Sequence, residues 1–204
     1  MSKLEYQCLK PGTLLNPTPV VLVSCASKDE PAKRNMITLA WTGTVNSDPP
    51  MVSISVRKER YSHDMILDSG EFVVNLVNEE LCKPVDFCGV RSGRDVDKAA
   101  ETGLRYVPAE KMKYAPAVDG APVSLGCKVR HVLELGSHDL IIGEVVSVRV
   151  QKKLLDEKGS LHMEKARLVA YSHGLYHQLG KVAGFFGYSV ARPEVLERRM
   201  KEYR

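Results

Sequence analysis

Three cations stand directly before a short helical pattern in the first third of the chain. Arg57, Lys58 and Arg60 lead into Tyr61 and Ser62, and Ser62 is the predicted cap of the helix. A helix N-terminus offers free N–H groups and a positive dipole end, and guanidinium and ammonium groups add charge-assisted hydrogen bonds. The pattern therefore favours a site for a phosphate dianion. A solvated basic turn would show the same residue types, so the residues alone leave both interpretations open.

A second unusual stretch lies just upstream, at residues 35–44. It is strand-like but rich in small and polar side chains. A buried strand normally carries more aliphatic residues, and small residues in a strand often mark a close approach of another molecule. We therefore predict that something flat approaches the backbone of this stretch.

The histidines are weaker candidates for chemistry. His173 and His177 lie four residues apart and could share a helix face as metal ligands. No Glu intervenes and no third ligand is near, so we predict no metal site. His131 stands on an otherwise apolar strand face, where a buried, hydrogen-bonded imidazole is preferred over a catalytic one.

Other catalytic classes have no candidates. The chain has no GxSxG sequence, no carboxylate pair at useful spacing and no Cys–His signature, so hydrolytic and acyl-transfer chemistry are not expected. The five cysteines form an odd count without a CxxC pair, which predicts reduced thiols packed as small hydrophobic side chains. They are Cys8, Cys25, Cys82, Cys88 and Cys127.

The composition is that of an ordinary globular protein. Of 204 residues, 44% are hydrophobic and 26% charged, with a formal net charge of +4 and no block of five like charges. Nucleic-acid binding usually needs a basic stripe, which is missing here. The longest aliphatic runs are far shorter than the roughly 20 residues that cross a bilayer, and no signal-peptide pattern is seen. We expect a soluble cytoplasmic protein with no nucleic-acid or membrane partner.

Strand patterns dominate the chain. Alternating or β-rich runs predict strands at residues 20–24, 51–57, 72–77, 125–135 and 140–150, in addition to the stretch at 35–44. Short helices are predicted at residues 61–69, where Gly70 ends the helix, and at 79–87, 96–101 and 193–203. Helices confined to the connections favour an antiparallel β-barrel over a doubly wound sheet. We predict one domain over residues 1–204.

Several blocks of sequence together carry a family resemblance. The first are Asn35-Met36-Ile37-Thr38 with Trp41, then Ser47-Asp48-Pro49-Pro50-Met51-Val52-Ser53-Ile54-Ser55-Val56-Arg57, then Arg60-Tyr61-Ser62. Further blocks lie at residues 70–76, 87–89, 92–98, 137–140, 143–145, 174–176 and 179–180. These blocks resemble the flavoredoxin branch of the flavin reductase-like, FMN-binding split-barrel proteins, over nearly the whole chain.

The resemblance implies a mainly β fold, a six-stranded antiparallel Greek-key split barrel with short peripheral helices. It also implies a homodimer with FMN near the dimer interface. The residues that would line the isoalloxazine ring and ribityl chain are Asn35, Met36, Thr38, Ala40 and Trp41. The residues that would hold the phosphate are Arg57, Lys58, Arg60, Tyr61 and Ser62, and Lys98 is carried over as a further cofactor contact.

The implied function is an FMN-binding oxidoreductase that moves electrons from NAD(P)H or a protein donor through FMN to an acceptor such as free flavin or ferric iron. Hydride transfer between nicotinamide and flavin is the chemistry of the cofactors, so catalytic side chains are not required. A non-enzymatic FMN electron carrier between partner proteins such as ferredoxin is the alternative. A flavin- or haem-binding module without redox turnover is a third reading.

Overall fold

The computed structural model describes residues 4–203, and within that range it contains twelve strands and four α-helices. The strands are β1 (Thr18–Pro19), β2 (Val21–Ala26), β3 (Arg34–Leu39), β4 (Thr42–Ser47), β5 (Pro50–Arg57), β6 (Glu71–Leu76), β7 (Tyr106–Val107), β8 (Ala117–Val118), β9 (Val123–Glu134), β10 (His138–Val150), β11 (Val169–Ser172) and β12 (Leu175–Gln178). The helices are α1 (Tyr61–Ser69), α2 (Cys82–Val90), α3 (Lys98–Thr102) and α4 (Pro193–Lys201).

Seven strands form one antiparallel sheet in the order β3-β2-β6-β9-β10-β5-β4. Its two edge strands, β3 and β4, follow each other in the chain through a bend at Ala40 and Trp41. The backbone N–H of Ser55 donates to the carbonyl of Trp41 at 2.9 Å, which holds this bend against β5. The sheet therefore curls back towards its own edge and brings β3 beside the end of β5.

The mainly β, antiparallel prediction is confirmed, but the main sheet has seven strands rather than six. The stretch at residues 35–44 is not one strand, because the bend at 40–41 divides it between β3 and β4. The sequence TGTVNS of β4 is polar and mostly exposed, so it carries no clear alternation of its own. The small sheet β1-β11-β12 was also not predicted.

The core inside the sheet follows the alternation of β5. Val52, Ile54 and Val56 share one face of β5 and are buried, and they pack with Phe72, which is fully buried. A Cβ at Gly143 on β10 would lie 2.5 Å from the Phe72 ring, so only glycine leaves room for this ring at the barrel centre.

Helices α2 and α3 cover the outer side of β2 and β3. Met36, Leu22, Val85 and Cys88 form the buried layer between them. The Thr38 hydroxyl donates to the carbonyl of Val85 at 2.5 Å, so α2 is fixed directly to β3. This packing places the loop after α2, residues 91–94, next to the start of α1.

The peripheral predictions have mixed outcomes. Helix α1 has the predicted bounds, and Gly70 ends it in the left-handed conformation at φ 67°. His173 and His177 lie on the β11–β12 hairpin rather than on a helix, and His131 is exposed rather than buried, because β9 extends past the barrel there. All five cysteines are free thiols. Cys25, Cys88 and Cys127 are buried as predicted, whereas Cys82 is partly buried and the prediction is wrong for Cys8, which is exposed. Among residues 4–203, no helix is long and apolar enough to cross a membrane.

Candidate functional site

A cavity of about 510 Å³ opens where β3, the end of β5, the first turn of α1 and the loop after α2 meet. We call it the cationic cavity, because the described residues that line it include five cations and one carboxylate, Glu59. The cations are Arg57, Arg60, Arg91, Arg94 and Lys98. The remaining described residues of the lining are Asn35, Ile37, Tyr61, Ser62, Cys88, Ser92 and Gly93.

The N-terminus of α1 forms one wall of the cationic cavity. Arg60 is the N-cap residue, and its side chain makes no capping hydrogen bond within the described part of the chain. The predicted cap at Ser62 is wrong: Ser62 is inside the helix and fully buried, and its hydroxyl accepts from Asn35 Nδ2 at 2.8 Å. The Asn35–Ser62 bond therefore ties β3 to α1, while the first turn keeps its anion-binding character towards the cavity.

Lys58 does not join Arg57 and Arg60. Its Nζ lies 2.6 Å from a Glu134 carboxylate oxygen and 3.4 Å from Asp139, on the β9–β10 hairpin. The hydrogen bond to Glu134 is the main cause that raises the pKa of Lys58. The structure therefore places Lys58 in an ion pair outside the cavity lining.

A buried histidine lies beneath this ion pair. His63 Nε2 is 2.8 Å from Asp139 Oδ2, and His63 Nδ1 is 2.8 Å from Asp64 Oδ1. Burial lowers the pKa of His63, but the hydrogen bonds to the two carboxylates outweigh it and leave the pKa raised. The hydrogen bond from His63 is also the main cause that lowers the pKa of Asp139. The His63–Asp139 pair joins the first turn of α1 to the start of β10.

The loop after α2 supplies site residues that sequence reasoning did not select. Arg94 Nη1 donates to the Glu59 carbonyl at 2.9 Å, and its guanidinium lies 5.3 Å from the Tyr61 ring centroid. A Cβ at Gly93 would lie 2.3 Å from Asn35 Oδ1, so glycine is needed for this close approach. The only sequence signal was the block at residues 92–98, which carried part of the family resemblance.

Lys98 closes the floor of the cationic cavity. It is 4% exposed, and its Nζ donates to the carbonyls of Met36 at 2.8 Å and Cys88 at 2.7 Å. Burial lowers the pKa of Lys98, and the nearby Arg60 lowers it further. With two donors used on backbone, the ammonium fixes β3 to α2 and has one N–H left for the cavity. The Met36 side chain itself lies in the core, so only its backbone belongs to this site.

A smaller cavity of about 210 Å³, the side cavity, continues from the cationic cavity towards the bend at 40–41. The two share Ile37, Arg57 and Arg60 as lining residues. The predicted residues Thr38, Ala40 and Trp41 line the side cavity, together with Leu39, Ser55 and His138. The two cavities therefore adjoin, and we call them together the groove, with five cations lining one end and a less charged wall at the other.

His138 is the residue at the less charged end that the site prediction omitted. Its ring centroid lies 4.8 Å from that of Trp41, with the planes tilted by 38°. Burial lowers the pKa of His138, and the charge of Arg57 lowers it further. The imidazole and the indole therefore form an aromatic wall at this end of the groove.

Comparison with known proteins places this geometry in a family. The family model described as flavin reductase like domain matches residues 14–180. The structure is similar to flavoredoxin of Desulfovibrio vulgaris (Miyazaki F), at 30% identity and a TM-score of 0.81 over 89% of this chain and 97% of that one. It is also similar to flavoredoxin from Methanosarcina acetivorans, at 27% identity and a TM-score of 0.82 over 92% and 100%. A third similar structure is an FMN-binding protein from Thermus thermophilus, at 26% identity and a TM-score of 0.70 over 87% and 96%. The chain belongs to the flavin reductase-like domain family.

Proposed function

We propose that the chain binds FMN in the groove formed by the cationic and side cavities and acts as an oxidoreductase that takes electrons from NAD(P)H. The observation that carries the proposal is that the two cavities of the groove adjoin across Ile37, Arg57 and Arg60. A cation-lined helix N-terminus lies at one end, and the wall formed by Trp41 and His138 lies at the other. A ligand with a phosphate tail and a flat ring system matches both ends.

The residues fit the phosphate end of FMN. Arg60 and Arg91 line the cavity, and no ion pair with a described carboxylate occupies either of them. Lys98 has one remaining donor, and the α1 N-terminus adds backbone N–H groups. Because carboxylates of the described residues do not neutralise these cations, the cations and the backbone N–H groups can together bind a phosphate dianion.

The residues also fit the ring end. Thr38 near the end of β3 and Ala40 at the bend are small residues of the side cavity lining, so a planar group can reach the backbone there. Trp41 is about half exposed and offers an indole face with His138 beside it. The name of the Thermus thermophilus relative supports the same ligand for this chain.

Bound FMN would supply the redox chemistry, and the side chains would bind and orient it. Arg60 and the α1 N-terminus hold the phosphate, and the Asn35–Ser62 bond fixes the distance between β3 and α1. Burial and the charges of Arg57 and Arg60 lower the pKa of His138, which disfavours a third positive charge beside these two arginines. Holding FMN in a fixed position promotes the redox reaction through proximity and does not require an acidic or basic side chain.

The test is a titration of the purified protein with FMN. We expect quenching of flavin fluorescence that saturates near one FMN per chain, followed by bleaching of the oxidised flavin band on anaerobic mixing with NADH or NADPH. No quenching would end the FMN proposal. If FMN binds but only reduced ferredoxin bleaches the band, the chain is an electron carrier and the NAD(P)H part is wrong.

A further inference from the structure

Two buried ionisable side chains next to the groove have no role in the binding described above. His63 in the first turn of α1 is 6% exposed, and Asp139 near the start of β10 is 4% exposed. Neither belongs to the described lining of the cationic or side cavity. Replacing a buried ion pair by apolar side chains of similar size is often neutral for stability, so stability alone does not account for this pair.

The surroundings of His63 require its ring to be an imidazolium. Nε2 lies 2.8 Å from Asp139 Oδ2, and Nδ1 lies 2.8 Å from Asp64 Oδ1. An ionised carboxylate only accepts hydrogen bonds, so both ring nitrogens must donate, whereas a neutral imidazole has a single N–H. Two further charged groups, Lys58 and Glu134, extend the network from Asp139 to the surface. His63 and Asp139 are therefore an ion pair.

An imidazolium in the first turn of a helix lies at the unfavourable end of the helix dipole. The N-terminus is the positive end, and cations are favoured at the C-terminus. The two carboxylates offset this cost, but a neutral side chain would avoid it. A phosphate dianion at the same N-terminus would remove the conflict, because it attracts both the imidazolium and the free N–H groups. The charge of His63 therefore favours an anion at the start of α1.

The first turn of α1 is fixed to the sheet at two neighbouring residues. Ser62 accepts a hydrogen bond from Asn35 on β3. The next residue, His63, is bonded to Asp139 on β10. The backbone N–H of His63 also donates to the carbonyl of Arg60 at 2.9 Å. A shift of His63 would therefore move the N-cap residue, whose side chain lines both cavities of the groove.

The ion pair of Lys58 is a weaker connection between the same parts of the structure. The side chains of Lys58 and Glu134 are exposed, so solvent screens their attraction. Asp139 is buried and is paired with Val56 of β5 in the sheet, next to the end of that strand. The rigid partner of the first turn is therefore Asp139, through its bond to His63.

We propose that Asp139, acting through His63, is a positioning residue for the FMN phosphate. The pair holds the first turn of α1 so that the Arg60 side chain and the free N–H groups meet the phosphate together. Binding of the dianion favours the imidazolium, and by reciprocity the imidazolium favours binding. This inference rests on the proposed function, because it takes the phosphate of FMN to lie at the N-terminus of α1.

The test compares FMN with riboflavin, which lacks the phosphate, in fluorescence titrations of Asp139→Asn and His63→Gln. We expect each variant to weaken FMN binding by about tenfold, because charge-assisted hydrogen bonds to the phosphate lose their alignment. Riboflavin binding should stay within about twofold. Equal losses for the two ligands, or unchanged FMN binding in both variants, overturns the proposal.

Glu71→Gln is the matched control for the loss of a buried carboxylate. Glu71 is 5% exposed and accepts the backbone N–H groups of residues 113–115. None of these residues belongs to the described lining of the groove. The control variant should affect FMN and riboflavin equally. A loss confined to FMN in Glu71→Gln as well would contradict the assignment to Asp139.

A measurement on the wild-type chain keeps the proposal falsifiable if the variants do not fold. Nitrogen NMR of the His63 ring, assigned through the backbone, reports the pH at which the ring loses one of its two protons. We expect FMN to raise this pH and riboflavin to leave it unchanged. The same titration with both ligands overturns the proposal, while the proposed function stands because FMN binds. If FMN does not bind, the proposed function fails. A rise caused by inorganic phosphate would then still support the positioning role, and no rise would overturn it as well.

Discussion

Replacement of Arg60 by Ala tests whether this side chain recognises the FMN phosphate or stabilises the fold. Arg60 lines both the cationic and side cavities, and its side chain is exposed. It is the N-cap of α1 but makes no capping hydrogen bond, so its removal should leave the helix in place. We therefore expect Arg60→Ala to change affinity for FMN with little change in stability.

The expected magnitude follows from one charge-assisted hydrogen bond. Such a bond contributes about 1.5–3 kcal/mol, which corresponds to roughly 10- to 150-fold in affinity. The cavity opens to solvent and Arg57, Arg91 and Lys98 remain in its lining, so screening and redundancy favour the lower end. We expect a loss of about tenfold for FMN.

The assay is quenching of flavin fluorescence with FMN and, in parallel, with riboflavin, which lacks the phosphate. Riboflavin should respond little to Arg60→Ala. Lys58→Ala is the matched control, because the Lys58 ammonium is paired with Glu134 and Asp139 outside the cavity. It should leave FMN affinity within about twofold. Equal losses for FMN and riboflavin, or a Lys58→Ala loss as large as that of Arg60→Ala, would refute this reasoning.

Three other predictions test the scaffold. Gly93→Ala should destabilise the protein by about 1–3 kcal/mol and weaken FMN binding, because the new Cβ would clash with buried Asn35. Gly43→Ala is the control, because the Cβ there meets open space, and it should change neither property. Denaturant unfolding and FMN titration measure the two effects. His63→Asn should cost most stability below about pH 6.5, and the cost should shrink as pH rises through the raised pKa of His63. A constant cost in pH-dependent unfolding would contradict that assignment. We also propose a homodimer, because apolar side chains such as Phe186 are exposed. Sedimentation should then give twice 22.7 kDa, and a monomer mass would contradict it.

The parts of the fold that sequence reasoning found are those that local patterns report directly. Alternation in β5 reports which side chains face the core, and Val52, Ile54 and Val56 are buried accordingly. Gly70 ends α1 because a left-handed residue is needed there. The bend at 40–41 has no comparable signal, because what fixes it is the hydrogen bond from Ser55, a residue of another strand.

The site was predicted incompletely for the same physical reason. Arg91 and Arg94 reach the cationic cavity only because α2 packs on β3, which brings two segments distant in sequence together. Ser62 was expected to cap the helix because serine favours that position. Its hydroxyl instead accepts from Asn35 on another strand, and such a long-range hydrogen bond has no local signature.

Arg57 and Lys58 are neighbours in sequence but serve different parts of the structure. Arg57 is the last residue of β5 and lines the cationic cavity, whereas Lys58 lies in the turn that follows the strand. The Lys58 ammonium pairs with Glu134 and Asp139 on the β9–β10 hairpin. Arg60 returns to the cavity side because the chain turns before α1, with its N–H bonded to the Arg57 carbonyl at 3.0 Å. Of the three cations in this segment, Arg57 and Arg60 thus line the cavity, and Lys58 forms an ion pair outside it. The remaining positive charge in the cavity lining comes from Arg91, Arg94 and Lys98, which the packing of α2 and α3 on β3 brings there.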